Sequence, residues 1–242
     1  MEKDYSKIAN EEKCKEFSKI VIDAYKYYVK LCKKYDRIVG EESVRGIMEV
    51  EFQDFICGKV CRGDKSLIFK KSIENDPERK IYRGIASISI DNYLQILKSK
   101  NSSVYRMGAY GEGLYFTADK RFATRYRDSF GGMVFATMGD DCKITNPGNL
   151  VDERYEFNKF YMQSPQYKKL PREIRDWCRK NIIYNNRNNT FYAGFLGYDA
   201  IRIEHVYCIF NLDKIVIEDK KLKTNIEVKE TKKNIFAKVF GK

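Results

Sequence analysis

A chain of 242 residues that is 43% hydrophobic and 14% aromatic carries enough apolar mass for one substantial core, or for a domain with an extension, and too much for a disordered polymer. Its longest apolar runs fall far short of the roughly 18 residues that a membrane helix needs, so no membrane partner is expected. Lysine and arginine number 46 against 34 aspartates and glutamates, and the resulting net charge of +12 draws polyanions at long range.

Taken in order, the first 78 residues read as helical. Phe17, Ile20, Val21, Ala24, Tyr25, Tyr28, Leu31, Cys32 and Tyr35 recur at three- and four-residue steps, with Gly40 as terminator. Val44, Ile47, Met48, Phe52 and Phe55 form a second amphipathic run, and Asn75-Asp76-Pro77 marks a break. Lys80-Ile-Tyr-Arg83-Gly84 then reads as a short strand. A helix follows over Ser89–Lys98, with Ile90, Tyr93, Leu94 and Leu97 on one face and Ser87 or Ser89 as cap. The loop 98–103 leads into a turn rich in glycine, Gly108, Gly111 and Gly113, and then a buried strand, Leu114-Tyr115-Phe116.

Asp119 or Thr117 caps the next helix, which carries Phe122, Ala123 and Tyr126 on one face. Strands are expected at 133–138 and 142–145, an Asn-Pro-Gly turn at 146–148, and beyond Pro171 a short helix burying Trp177. The stretch 150–185 is interrupted by Pro165 and Pro171 and has no clear periodicity. Asn185–Asn189 reads as a loop.

Two aromatic walls, an arginine and backbone amides at glycine suit a flat ring joined to phosphates. The residues that supply them resemble ADP-ribosyltransferases, of the phage and bacterial toxin-like branch. Arg83-Gly84 matches the Arg-Gly or His-Gly that ends the first strand in that family, and Gly113-Leu114-Tyr115-Phe116 matches its Gly-Ile/Leu-Tyr-Phe. Tyr126 stands eleven residues after Tyr115, the offset of the tyrosine pair in the poly(ADP-ribose) polymerase-like branch. Gly197-Tyr198-Asp199-Ala200-Ile201 and the run Val206–Ile215 are similar to the closing strands of phage and bacterial members. The resemblance spans roughly residues 78–218.

It implies an α+β fold: a helical N-terminal region, residues 1–78, before a catalytic domain, 79–242, of two packed, mostly antiparallel sheets with an NAD cleft. It implies transfer of ADP-ribose from NAD to a macromolecular acceptor, with nucleic acid (RNA) slightly favoured over protein by the charge. A toxin or phage-defence role, with a cognate antitoxin as a further partner, is implied in the same way. Arg83, Gly84, Gly113, Tyr115, Phe116 and Tyr126 would bind NAD, with Arg83 and Tyr115 also serving catalysis. The family's catalytic glutamate falls on Val206, a departure from the pattern. Glu204, placed two residues back on the same strand face and about 7 Å away, is expected to substitute, or Asn211 to assist. Glu112 is a second carboxylate of interest.

Each residue also has an ordinary reading. Arg83 can form an ion pair, the tyrosines can pack a core, the glycines can form a hairpin turn, and the positive charge can reflect a composition rich in Lys, Ile and Asn. A degenerate NAD-binding protein, or a basic module whose tyrosines stack RNA bases, is therefore the alternative. Seven cysteines, at 14, 32, 57, 61, 142, 178 and 208, are odd in number and irregular in spacing. With no apolar segment behind Met-Glu-Lys-Asp, a cytoplasmic location and reduced thiols are expected. Cys57 and Cys61 lack a second pair, and His205 is the only histidine, so no metal is expected.

Overall fold

The computed structural model describes residues 4–36, 41–60, 67–71, 79–99, 107–108, 111–129 and 131–220. Its elements, in chain order, begin with α1 (Glu11–Tyr35), α2 (Glu41–Val60), β1 (Ile68–Lys70), β2 (Lys80–Ile85) and α3 (Ile90–Lys98). Next come β3 (Met107–Gly108), β4 (Gly111–Glu112), β5 (Leu114–Thr117), α4 (Lys120–Thr124), β6 (Gly132–Met138) and β7 (Ile144–Thr145). The chain continues through α5 (Pro147–Gln163), α6 (Pro165–Lys168), α7 (Arg172–Cys178), α8 (Asn189–Leu196), β8 (Ala200–Ile203), β9 (Val206–Ile209) and β10 (Ile215–Glu218). The fold is α+β. Gly40, Asn75-Asp76-Pro77 and Cys61, to which the sequence assigned a helix stop, a break and half of a cysteine pair, lie outside the described residues.

Local chemistry accounts for most helix starts. Asn10 accepts from the Lys13 amide at 2.9 Å to begin α1, whose first turn holds Glu11 and Glu12 and whose last holds Lys33 and Lys34, each favoured by the helix dipole. Ser89 caps α3 and Asp119 caps α4. The expected turn at Asn146-Pro147-Gly148 is instead the start of the 17-residue α5: Asn146 accepts from the Asn149 amide, and Pro147 occupies the first helical position, where its missing N–H costs nothing. Pro165 does the same for α6. The prolines that obscured 150–185 thus open helices rather than break them. A π-helical turn, Arg179–Ile183, extends α7.

The described residues fall into two compact units that are discontinuous in sequence. The first draws on Met1–Gly63, Ser102–Tyr115 and Cys142–Asn211, the second on Asp64–Asn101, Phe116–Asp141 and Leu212–Lys242.

In the first unit α1, α2 and α5–α8 enclose an aromatic core. The buried Phe17 ring lies 4.7 Å from Tyr161, 5.0 Å from Phe157 and 5.1 Å from Phe195. Trp177 is half-buried, its ring 5.5 Å from Tyr25 and 5.8 Å from Phe52. Arg154 is buried within this unit and donates to the carbonyls of Ile183 and Asn185 at 2.6 and 3.0 Å, with its guanidinium over the Tyr192 ring. These bonds help to hold the loop before α8, together with those of the buried Asn188 to the Asn181 and Ile182 carbonyls. Strand β8 pairs in parallel with β7 and antiparallel with β9, and β3 pairs with β4.

In the second unit β6 is central. It pairs antiparallel with β2 from Lys80↔Thr137 to Ile85↔Gly132, and antiparallel with β10. Strand β1 joins β10 in parallel, although its three residues fall in the stretch expected to be helical. Its ladder partners Val216–Glu218 are remote in sequence, which is why local periodicity does not reveal it. Strand β2 also meets β5 at Tyr82↔Thr117.

Candidate functional site

Strand register decides where the resemblance residues point. Residues i and i+2 of a strand share a face, and antiparallel partners share it too. Ile81, Arg83 and Ile85 therefore lie on one face of β2 with Ala136, Val134 and Gly132 of β6. Helix α3 covers this face: a Cβ on Gly132 would come within 2.5 Å of Ile90 Cγ1. Arg83 is half-buried here, its guanidinium carbon 5.7 Å from the centre of the Tyr93 ring. Burial raises the Tyr93 hydroxyl above its ordinary pKa, and the neighbouring Arg83 charge opposes that rise.

Gly84 belongs to the opposite face, together with Tyr82. A Cβ at Gly84 would sit 2.1 Å from the Ala123 carbonyl oxygen and 3.1 Å from Tyr126 Cβ, so only glycine lets the end of α4 lie directly on the strand. Tyr126 is 58% exposed there, its ring 5.2 Å from Phe122. Arg83 and Tyr126 thus stand on opposite faces of β2, and do not close on a ring from one side as the sequence reading expected. Alternation along one strand separates them.

The backbone of Gly84 lies between these two side chains. Met138 donates its amide to the Arg79 carbonyl at 3.1 Å, so residues 79, 81, 83 and 85 direct their backbone groups at β6. Gly84 directs its N–H and C=O the other way, towards the side on which β2 meets β5 at Tyr82↔Thr117.

The remaining site residues take separate positions. In the first unit Gly113 packs on β9, since a Cβ there would meet Cys208 Sγ at 2.7 Å and the Ile209 carbonyl oxygen at 2.8 Å. Tyr115 is half-buried against the aromatic core. Phe116, in the second unit, is buried. Glu112 is described in its backbone alone, paired with Met107.

Glu204 is not on a strand. With His205 it forms the two-residue turn closing the β8–β9 hairpin, between the paired Ile203 and Val206. Its φ is 53° and its side chain is 83% exposed. Side-chain alternation does not carry through a turn, so Glu204 and Val206 do not share a strand face. The turn lacks the Asn-Gly or Asp-Gly that announces such hairpins, which left it unread.

Asn211 is buried and donates from Nδ2 to Asp199 Oδ1 at 2.6 Å, while its amide donates to the Asp199 carbonyl at 3.2 Å. The other Asp199 carboxylate oxygen accepts from the Lys143 amide at 2.8 Å. Asn211 therefore secures the ends of β7, β8 and β9, and its own Oδ1 is buried with no hydrogen-bond partner among the described residues. Among the described residues no three His, Cys, Asp or Glu side chains gather to hold a metal, and no helix is long and apolar enough to cross a membrane.

No family model, curated protein or solved structure matches the chain.

Proposed function

We propose that the protein transfers ADP-ribose from NAD to a macromolecular acceptor, with RNA favoured slightly over protein by the net charge of +12. The observation that supports this reading is Gly84: a glycine-dependent approach of α4 to β2 that puts Tyr126 on one face of the strand and Arg83 on the other. In this reading the nicotinamide amide pairs with the N–H and C=O of Gly84, and the exposed Tyr126 ring stacks on the nicotinamide. The Arg83 fork takes a ribose hydroxyl or the pyrophosphate from the α3 side. The resemblance assigns Gly113, Tyr115 and Phe116 to NAD binding as well.

Breaking the bond between nicotinamide and ribose leaves the electron pair on nicotinamide and develops oxocarbenium character at the sugar. An acceptor hydroxyl, amine or thiol then attacks C1 and releases its proton. A carboxylate that holds a ribose hydroxyl would stabilise the charged sugar, and the resemblance leaves that task to Glu204, with Asn211 assisting. A second reading, NAD binding without turnover, is favoured by the exposed turn position of Glu204 and by valine at 206.

Incubating the protein with radiolabelled NAD and total RNA or cell lysate separates these. Label on RNA or on protein supports transfer, and Arg83→Ala is expected to cut it by about 10²–10³, as loss of one charge-stabilising donor does. NAD retained without label decides for the second reading. Arg83→Ala labelling as well as the parent removes Arg83 from the site, and neither label nor NAD binding overturns both readings.

A further inference from the structure

The two faces of the second unit's sheet differ in what covers them. On the Arg83 face, Ile81, Ile85, Val134, Ala136, Ile215 and Ile217 are all buried, with Tyr93, Leu94 and Leu97 of α3. The other face carries Tyr82 and Phe135, directly paired across β2 and β6, both half-buried, their rings 5.7 Å apart and nearly perpendicular. Aromatic rings side by side on adjacent strands and left half-open to solvent are more than sheet stability requires. The same pair in the interior would be wholly covered, as Phe17 and Tyr161 are.

Cations surround the pair. The Lys120 and Lys220 ammonium groups lie 5.7 and 5.8 Å from the centre of the Phe135 ring. Lys80 is paired with Thr137 on the same face, and Lys70 extends from β1 at its far edge. Beside them a cleft of about 190 Å³ is lined by Lys70, Arg79, Thr137 and Val216 among others. The Thr137 hydroxyl oxygen is buried and has no hydrogen-bond partner among the described residues. Among the described residues, the carboxylates beside these cations include Glu218, aligned with Lys70, and Asp140, which is ion-paired with Arg79.

We infer that this face is a platform for single-stranded nucleic acid. Unstacked bases lie on Tyr82 and Phe135, the phosphates run between the lysines, and the Thr137 hydroxyl takes a sugar or phosphate oxygen in the cleft. Rings held on a sheet and ringed by ammonium groups match bases that have faces to offer, which a duplex has not. An acidic polypeptide would satisfy the lysines and leave both rings unused. Binding does not depend on NAD chemistry. It deepens the transferase reading in one respect, because Gly84 and Tyr126 stand on this same face, where an RNA acceptor would be presented.

The test is fluorescence anisotropy with a labelled single-stranded RNA of about 16 nucleotides, without NAD, against its duplex. The single strand is expected to bind more tightly than the duplex, and affinity to fall steeply with salt. Phe135→Ala should weaken binding about tenfold, the loss expected for one stacked base. Should that variant unfold, Phe135→Leu, which keeps apolar bulk, should show a similar loss. Lys70→Gln and Lys220→Gln should each lower the salt slope by about one. Duplex bound as well as single strand, Phe135→Leu binding like the parent, or polyglutamate competing as effectively as RNA each overturns the platform. Failure of NAD labelling with these results intact would remove the transferase reading and leave the platform standing.

Discussion

The two compact units use aromatic side chains in opposite ways. In the first, Phe17, Phe157, Tyr161, Phe191, Tyr192 and Phe195 are buried at the centre, between helices. In the second, the interior under α3 is mainly aliphatic, and Tyr82, Phe135 and Tyr126 stand on the other face of the sheet, half-buried or exposed. Aromatic content alone therefore says little about function. A ring meeting other rings from several sides contributes packing, whereas a ring left open on a basic face has area still to bury.

Core truncation breaks that comparison most severely. Phe17→Ala should cost about 3–5 kcal/mol, because the cavity opens among rings that cannot collapse into it. Denaturant unfolding measures this, and a loss below 1 kcal/mol would mean the first unit is not organised around that ring. Gly84→Ala comes next, at about 1–3 kcal/mol from overpacking against the Ala123 carbonyl, together with loss of whatever α4 holds on that face. By contrast Phe135→Leu, on the open face, should cost less than about 1.5 kcal/mol. If it destabilises as much as Phe17→Ala, the two regions are not different in kind.

Thiol chemistry sharpens the picture without mutation. Burial pushes the Cys178 thiol up to about 12, while Cys32 is only half-buried. The thiolate is the reactive form, so at about pH 8 iodoacetamide should modify Cys32 before Cys178, and reach Cys178 only on unfolding. Equal rates by mass spectrometry would show that the aromatic centre opens readily.

The smallest effect belongs to the α1–α2 surface. Hydrogen bonds from Lys34 and then Tyr35 hold the Glu51 carboxyl below its ordinary 4.5. A depressed folded-state pKa stabilises the fold above the unfolded value, and that contribution disappears as pH falls below about 4.5. Glu51→Gln should therefore lower Tm slightly at neutral pH and flatten its dependence in that acid range, as expected for a solvent-screened pair.

Much of the local structure was legible in the residues themselves. The stripes of α1 and α3, a cap at Ser87 or Ser89 and another at Thr117 or Asp119, and strands at 80–84, 114–116 and 133–138 follow from side-chain periodicity and capping, which are settled within a few residues of each other. Asn146-Pro147-Gly148 was ambiguous, since the same three residues suit a turn or a helix start and only the seventeen-residue helix behind them decides.

The candidate site was less legible. That Arg83 and Gly84 face opposite ways follows from any strand at 80–85, yet only the pairing of β2 with β6 and the seating of α3 and α4 assign the arginine to the covered face and Tyr126 to the open one. The turn at Glu204, the parallel partner of β1, and the convergence of Tyr82 with Phe135 likewise depend on registers between distant segments. Composition and periodicity determined which elements form, because those choices are local. Which side chains meet was decided by tertiary structure, because strand register and helix coverage are contacts between residues that the chain keeps far apart.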